Sequence, residues 1–248
     1  MIEVDDPYDC LRCPLIDCNG FQPPSEEQRA FLNEFKQREV RIDKGEVLFA
    51  EGEHVNSLFT ILNGVMLRYR SLEDGRRQIV NIMFPGDLVG LQGVFEEPSD
   101  HTVEALVPGR LCVFERARFT QLIESNPQLG FDVTWLAAKE EAALERHLVS
   151  LGQRTARERL VRLAVWLLDR AYSTGMVTDR NRMKLGITQS QISDMLGLSL
   201  VHTNRTIRSL AAEGLVEWNA REIHIPDPER AIAFADYESE LREKRPYI

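Results

Sequence analysis

No run in this 248-residue chain approaches the eighteen or more apolar residues that a membrane-spanning helix requires, so no membrane partner is expected. The first ten residues, MIEVDDPYDC, are acidic and carry no apolar segment, so no secretory signal is expected there and the cytoplasm is the expected compartment. Cysteine is scarce. Four residues in a reducing compartment read as metal ligands or plain thiols rather than structural disulfides. Histidine is scarce too, and His54, His101, His147, His202 and His224 are scattered, each better suited to a polar contact than to catalysis. No Walker loop, dinucleotide fingerprint, nucleophile elbow or HExxH motif is present, and the chain is therefore not expected to be an enzyme.

What remains is ordinary soluble-protein composition, with enough length for two modest cores. The net charge of −9 argues against nucleic-acid binding only until it is divided along the chain. Residues 1–150 hold 15 Lys and Arg against 26 Asp and Glu, a net of −11, whereas residues 151–248 hold 15 against 13, a net of +2. A DNA binder needs a local basic face, not a basic protein, so the second half remains eligible.

From about Val40 to Phe114 the first half alternates short β-prone runs with turn residues. Val47-Leu48-Phe49, Leu58 to Leu62, Val65 to Arg70 and Gln78 to Phe84 are such runs. Asn63-Gly64 and Asp74-Gly75 each fall between two of them and match the pair preferred by type I′ hairpin turns. Glycines 45, 52, 86, 90 and 93 keep the strands short, which predicts an antiparallel sandwich or jelly roll. Pro127 then opens a helical stretch over about 128–151, with Leu129, Val133, Leu136, Leu144, Leu148 and Leu151 along one stripe and Glu140 interrupting it. That interruption suits a short two-helix contact, such as a homodimer seam, better than a long coiled coil; a helix packed on its own domain is the alternative.

The second half carries the most specific local signals. Arg157 to Arg170 reads as an amphipathic helix with Leu160, Leu163, Ala164 and Leu167 on one face. Thr188 with Gln191 forms a capping-box pattern, Gly197 supplies a tight turn, and Ser199 can cap a second helix over Leu200 to Leu210. Two short helices joined this way are a helix-turn-helix, whose second helix enters the major groove of double-stranded DNA. Its outward candidates are Ser199, Val201, His202, Asn204, Arg205 and Arg208, with no acid between Ser199 and Ala212. Arginine can pair bidentately with guanine, asparagine with adenine, and valine can meet a thymine methyl. Leu215 to Trp218 and Glu222 to Ile225, turned at Asn219-Ala220, read as a hairpin wing.

The order of these words resembles the Crp/Fnr family of regulators over nearly the whole chain. In the first half the match lies in Lys44-Gly45-Glu46-Val47-Leu48-Phe49-Ala50-Glu51-Gly52-Glu53, then Leu62-Asn63-Gly64, Asp74-Gly75-Arg76 and Phe84-Pro85-Gly86-Asp87-Leu88-Val89-Gly90. The resemblance implies an α+β chain: a cysteine-bearing segment at 1–22 and a cyclic-nucleotide-binding-type β-roll (jelly roll) at 23–126. A long dimerisation helix at 127–152 and a winged helix-turn-helix domain at 153–248 would follow. It further implies a homodimer on palindromic DNA, acting on RNA polymerase. Arg205 falls where the family keeps its main base-reading arginine. Val201 replaces a common glutamate and Asn204 a serine of Fnr-like members, so the half-site is expected to depart from the usual one.

Cys10, Cys13 and Cys18 form C-x2-C-x4-C, and Cys112 stands alone in Leu111-Cys112-Val113-Phe114. Such spacing can wrap a soft metal centre. By resemblance to Fnr-like sensors, three N-terminal cysteines and a distant fourth at the position of Cys112 would hold an oxygen-labile [4Fe-4S] cluster. The second spacing is one residue shorter than in the best-known Fnr pattern, so the loop to Cys18 departs from it. Zinc on the same thiolates, and thiols with no ligand, are the alternatives. A redox- or metal-binding protein with no DNA role is the rival of another class. Cyclic AMP is not expected, because Leu91 stands where the family's ribose-binding glutamate would be, and His101-Thr102 where its phosphate-binding Arg-Ser would be. Another small effector in the roll stays open.

Overall fold

The glycine-punctuated first half folds, in the computed structural model, into an antiparallel β-roll; the residues described are 1–92, 97–179, 181–239 and 243–248. Gly93 of the expected turn series lies outside them. Strands β1 (Ile2–Glu3), β2 (Arg38–Ile42), β7 (Thr102–Glu115), β4 (Ser57–Ser71) and β5 (Arg77–Met83) lie side by side in that order. Strand β3 (Val47–Phe49) pairs with β7, and β6 (Leu88–Val89) with β4. The long β4 and β7 run antiparallel along most of their length, and Ile42, Phe59, Ile61, Met66, Val103, Leu111 and Val113 fill the space between the layers. Helix α1 (Glu26–Phe35) lies between β1 and β2 in the chain and begins at a complete capping box between Ser25 and Gln28.

Neither expected type I′ turn is formed. Strand β4 continues through Asn63-Gly64, with irregular register against β7 between Ile61 and Met66. Gly64 has φ +87°, and a Cβ there would stand 2.6 Å from the Gly109 Cα, so the glycine permits close approach of two strands rather than a chain reversal. Asp74-Gly75 does lie in the β4–β5 hairpin. There only Gly75 takes positive φ, Leu72 is bonded to both Gly75 and Arg76, and the Asp74 carboxylate accepts from the Arg76 N–H. A type I′ turn needs positive φ at both central residues, and a hydrogen-bonded aspartate stabilises the ordinary alternative.

Helix α2 (Phe119–Ser125) leads into the 27-residue α3 (Pro127–Gln153), with proline in its first turn, where no N–H bond is lost. Helix α4 (Ala156–Ser173) starts at a Thr155–Glu158 capping box and buries Leu160, Val161, Leu163, Ala164, Leu167, Leu168 and Ala171. Burying each large member of that face stabilises by about 1.5–3 kcal/mol. Part of the surface it meets belongs to the roll: Val65, Leu67, Ile79, Ile82, Phe84 and Leu106 share one apolar cluster with α4 and the elements after it. Helices α5 (Gln189–Leu196) and α6 (Leu200–Ala212) are followed by a three-stranded sheet in the order β8 (Arg182–Met183), β10 (Ile223–His224), β9 (Glu217–Trp218). Helix α7 (Pro228–Ala235) packs on α4. The C-terminal residues then return to the N-terminal segment, where Phe21 and Arg245 form a parallel bridge.

Candidate nucleic-acid interface and cysteine centre

Local chemistry places α5 and α6 in a fixed crossing. The Thr188 hydroxyl accepts from the Gln191 N–H while the Gln191 amide oxygen accepts from the Thr188 N–H. Gly197 takes the left-handed conformation at φ +63° and ends α5, and the Ser199 hydroxyl accepts from the His202 N–H to start α6. Between the helices the buried Ser193 and Thr203 hydroxyls are hydrogen-bonded at 2.9 Å. Thr203, Thr206, Ile207 and Leu210 point inward. Val201, 72% exposed, stands outward with His202, Arg205 and Arg208. The Arg205 and Arg208 guanidinium groups have no acidic partner among the described residues, so both keep an unneutralised charge. Asn204 is half-buried, and its amide donates to Gln189 Oε1 at 2.8 Å. Five of the six expected contact residues thus share one solvent-facing surface beside the β9–β10 wing, and Ser199 marks its edge. Gln189 was not foreseen.

Helix α5 packs against β5 of the roll. Arg77 Nε lies 2.8 Å from Asp194 Oδ2, and the Gln78 amide donates to the Met195 carbonyl at 2.9 Å. A second joint is built on Asp87. Its Oδ1 receives Arg170 Nη2 from α4 and Arg245 Nη2 from the C-terminal residues, each at 2.7 Å, and its Oδ2 accepts from the Phe84 N–H at 2.8 Å. Burial alone would raise the Asp87 carboxyl, but the two guanidinium groups outweigh it and hold it below the usual range. Neither Arg170, which the amphipathic pattern of α4 does not single out, nor its partner Asp87 was foreseen.

The six residues of the expected seam separate. Leu129, Val133 and Leu136 are buried within the protomer, the first two against Phe114, Leu122 and Tyr247, whereas Leu148 is 71% exposed. Leu144 and Leu151 are half-buried. Glu140, which breaks the stripe, accepts from Arg68 Nη2 at 2.7 Å and from the Asn81 amide at 2.9 Å, tying α3 to the roll.

The cysteines occupy one apolar region. Cys112 is 6% exposed on β7, and Cys10, Cys13 and Cys18 pack around the same cluster, with Phe21, Leu32, Phe35 and Tyr247. Burial raises all four thiols, Cys13 to about 11. Cys10 and Cys13 lie within electrostatic reach of Cys112, but Cys18 turns away: its thiol donates to the Thr174 carbonyl at 3.3 Å, past the end of α4. Among the described residues, no three Cys, His, Asp or Glu side chains are grouped closely enough to hold a metal ion. Donor type and surroundings nevertheless suit a soft metal. The buried Tyr247 hydroxyl has no hydrogen-bond partner, and Cys13, Cys10 and Cys18 all lie within its electrostatic reach, so a polar group stands unanswered amid the thiols.

A cleft of about 430 Å³ between roll and α3 is lined by Arg68, Leu91, His101, Leu136, Glu140 and Leu144, among others. His101 is buried, its pKa lowered to about 4 by that burial and by Arg68, and Thr102 Oγ1 accepts from the Glu51 N–H. Neither residue offers a charge to a phosphate at neutral pH.

Comparison with known proteins agrees with this layout. A cyclic nucleotide-binding domain model matches residues 39–126, and a Crp-like helix-turn-helix domain model matches residues 161–230. The chain is 32% identical over 208 residues to the nitrogen fixation regulation protein FixK of Bradyrhizobium diazoefficiens, covering 83% of this chain and 86% of that protein. It is 27% identical over 227 residues to the transcriptional activator protein Anr of Pseudomonas aeruginosa, covering 92% and 91%. The solved structure of FixK2 from Bradyrhizobium japonicum superposes with a TM-score of 0.69 at 25% identity, over 81% of this chain and 98% of that one.

Proposed function

The chain belongs to the Crp/Fnr family of DNA-binding transcription regulators, and we propose that it works as a homodimer on palindromic DNA under the control of its cysteine centre. The observation that carries the DNA reading is α6, capped and pinned to α5, with Val201, His202, Arg205 and Arg208 outward and no acid among them. Phosphate contacts position such a helix, and its side chains read base edges. A two-fold operator requires a two-fold protein, and the exposed end of α3 around Leu148 and Val149 supplies an unpartnered apolar face for it. RNA polymerase is the partner such a regulator would address.

Control is supported by where the cysteine segment sits. Cys18 bonds to Thr174, the Gly20 N–H donates to the Ser173 carbonyl at 2.9 Å, and Gly20 and Gln22 bond to the Arg245 backbone on the other side. The segment is therefore clamped between α4 of the DNA-binding half and the C-terminal residues. Cys10, Cys13, Cys18 and Cys112 would hold a [4Fe-4S] cluster, and such a group supplies sensitivity to oxygen. To join the other three, the Cys18 sulfur has to leave Thr174. Ligation and the clamp thus compete for one atom, which couples the centre to the position of α4.

The test is anaerobic purification with iron and sulfide assay, a visible spectrum, and operator binding before and after air. A coloured protein with about four iron and four sulfide per chain, whose DNA affinity changes in air, is the expected result. A colourless protein with sub-stoichiometric iron sinks the cluster and leaves the DNA reading standing.

A further inference from the structure

The bond between Gln189 and Asn204 joins the first residue of α5 to the reading face of α6, and it limits what Asn204 can recognise. Both ends of this contact are held. Ser193 donates its one proton to the Gln189 carbonyl at 2.7 Å and accepts from the hydroxyl of Thr203, the neighbour of Asn204, at 2.9 Å. The crossing of the two helices is therefore set within one turn of the amide pair. One N–H of the Asn204 amide is committed to Gln189 Oε1, which leaves one N–H and Oδ1 for a base.

Adenine offers the major groove a donor at N6 and an acceptor at N7, matching one acceptor and one donor side by side. Guanine offers two acceptors, O6 and N7, and needs two donors. With one of its N–H groups engaged, Asn204 has a single donor left and cannot answer both. An unheld asparagine is free to turn both of its N–H groups toward guanine.

We propose that Gln189 is a specificity-determining residue that positions the Asn204 amide, committing it to adenine over guanine at one base pair of each half-site. This rests on α6 being the DNA-reading helix. Gln189 is a positioning residue here, acting through Asn204 rather than by its own base contact.

The experiment begins with duplexes selected from a random-sequence library by the wild-type protein, and measures binding by fluorescence anisotropy after single A·T to G·C replacements. Wild type is expected to prefer adenine by roughly 10-fold or more at one symmetric position, with Asn204→Ala removing the preference there alone. Gln189→Met, similar in length but with only a weak thioether acceptor, is expected to shrink that preference at least about five-fold while the preferences at other positions stay. Gln189→Glu, which restores an acceptor, keeps it. In the Asn204→Ala background, Gln189→Met is expected to change nothing further, because the pair acts as a unit. Undiminished discrimination in Gln189→Met, additive losses in the double variant, or a position for Asn204 that is not adenine overturns the proposal. Failure of wild type to select any sequence overturns the reading of α6 itself, which is a distinguishable result. Thermal melts of each variant separate loss of reading from loss of folding.

Discussion

Replacing Asp87 by alanine removes the carboxylate on which two arginines from the DNA-binding half converge. Arg170 Nη2 and Arg245 Nη2 each lie 2.7 Å from Oδ1, and the Asp87 and Arg170 side chains are 9% and 7% exposed. Charge centres about 4 Å apart attract by roughly 4 kcal/mol per pair at an effective dielectric of about 20. Desolvation offsets much of that while the pair is intact, but removing one partner strands the other, at a typical cost of about 3–5 kcal/mol. Arg245 keeps more solvent and adds less, so a loss of about 3–5 kcal/mol is expected for Asp87→Ala. Trp166 packs edge-on to Phe84, three residues from Asp87, with ring centroids 6.0 Å apart, so its fluorescence in a urea titration reports the joint directly. Asp87→Ala combined with Arg170→Met is expected to recover part of the loss, because an apolar side chain replaces a stranded charge. Since the Asp87 carboxyl is held below its usual range, its contribution is complete above the unfolded value near pH 4. It disappears as pH falls through the lower folded value. A loss below about 1 kcal/mol, or a wild-type and Asp87→Ala difference that persists unchanged at acid pH, refutes the reasoning.

Arg205→Ala is expected to weaken operator binding about 5- to 150-fold while affinity for random duplex changes little, as compared by anisotropy on the two DNAs. Gly64→Ala, forced into φ +87° with its Cβ against the Gly109 backbone, is expected to cost about 2–5 kcal/mol in urea unfolding. Cyclic AMP is expected to leave the melting temperature unchanged, because buried, neutral His101 offers no charge to the phosphate; a shift of several degrees contradicts that reading. Operator affinity is expected to fall linearly on a log–log plot against salt, and a flat plot would remove phosphates from the interface.

The DNA-binding half was the more legible one, because its signals are local. The Thr188–Gln191 box, the Gly197 turn and the Ser199 cap each concern residues within four positions of one another, and each is found where the spacing put it. In the roll, Asn63-Gly64 misled because a glycine needed for strand approach has the same letter as one needed for a turn. Helix α7 and the C-terminal return to Phe21 were not foreseen. The return is non-local, since Tyr247 and Ile248 are buried by residues more than a hundred positions away, whereas α7 starts on a local Asp227–Pro228 signal that went unread. The α3 stripe shows the same limit. A helical period marks which residues share a face, but not whether that face meets a second copy or, as for Leu129 and Val133, its own domain. The cysteines were legible as a set, yet the diversion of Cys18 to Thr174 depends on how α4 docks, which no spacing encodes.

Helix α6 is assigned here to reading a particular DNA sequence. The most direct test of that assignment compares, at physiological salt, the affinity of the wild-type protein for duplex selected from a random library and for a scrambled duplex of equal length. Binding to the selected duplex is expected to be tighter by about a thousand-fold or more, as for specific regulators in general. Equal affinities for the two, with the cysteine centre either intact or oxidised, would contradict it.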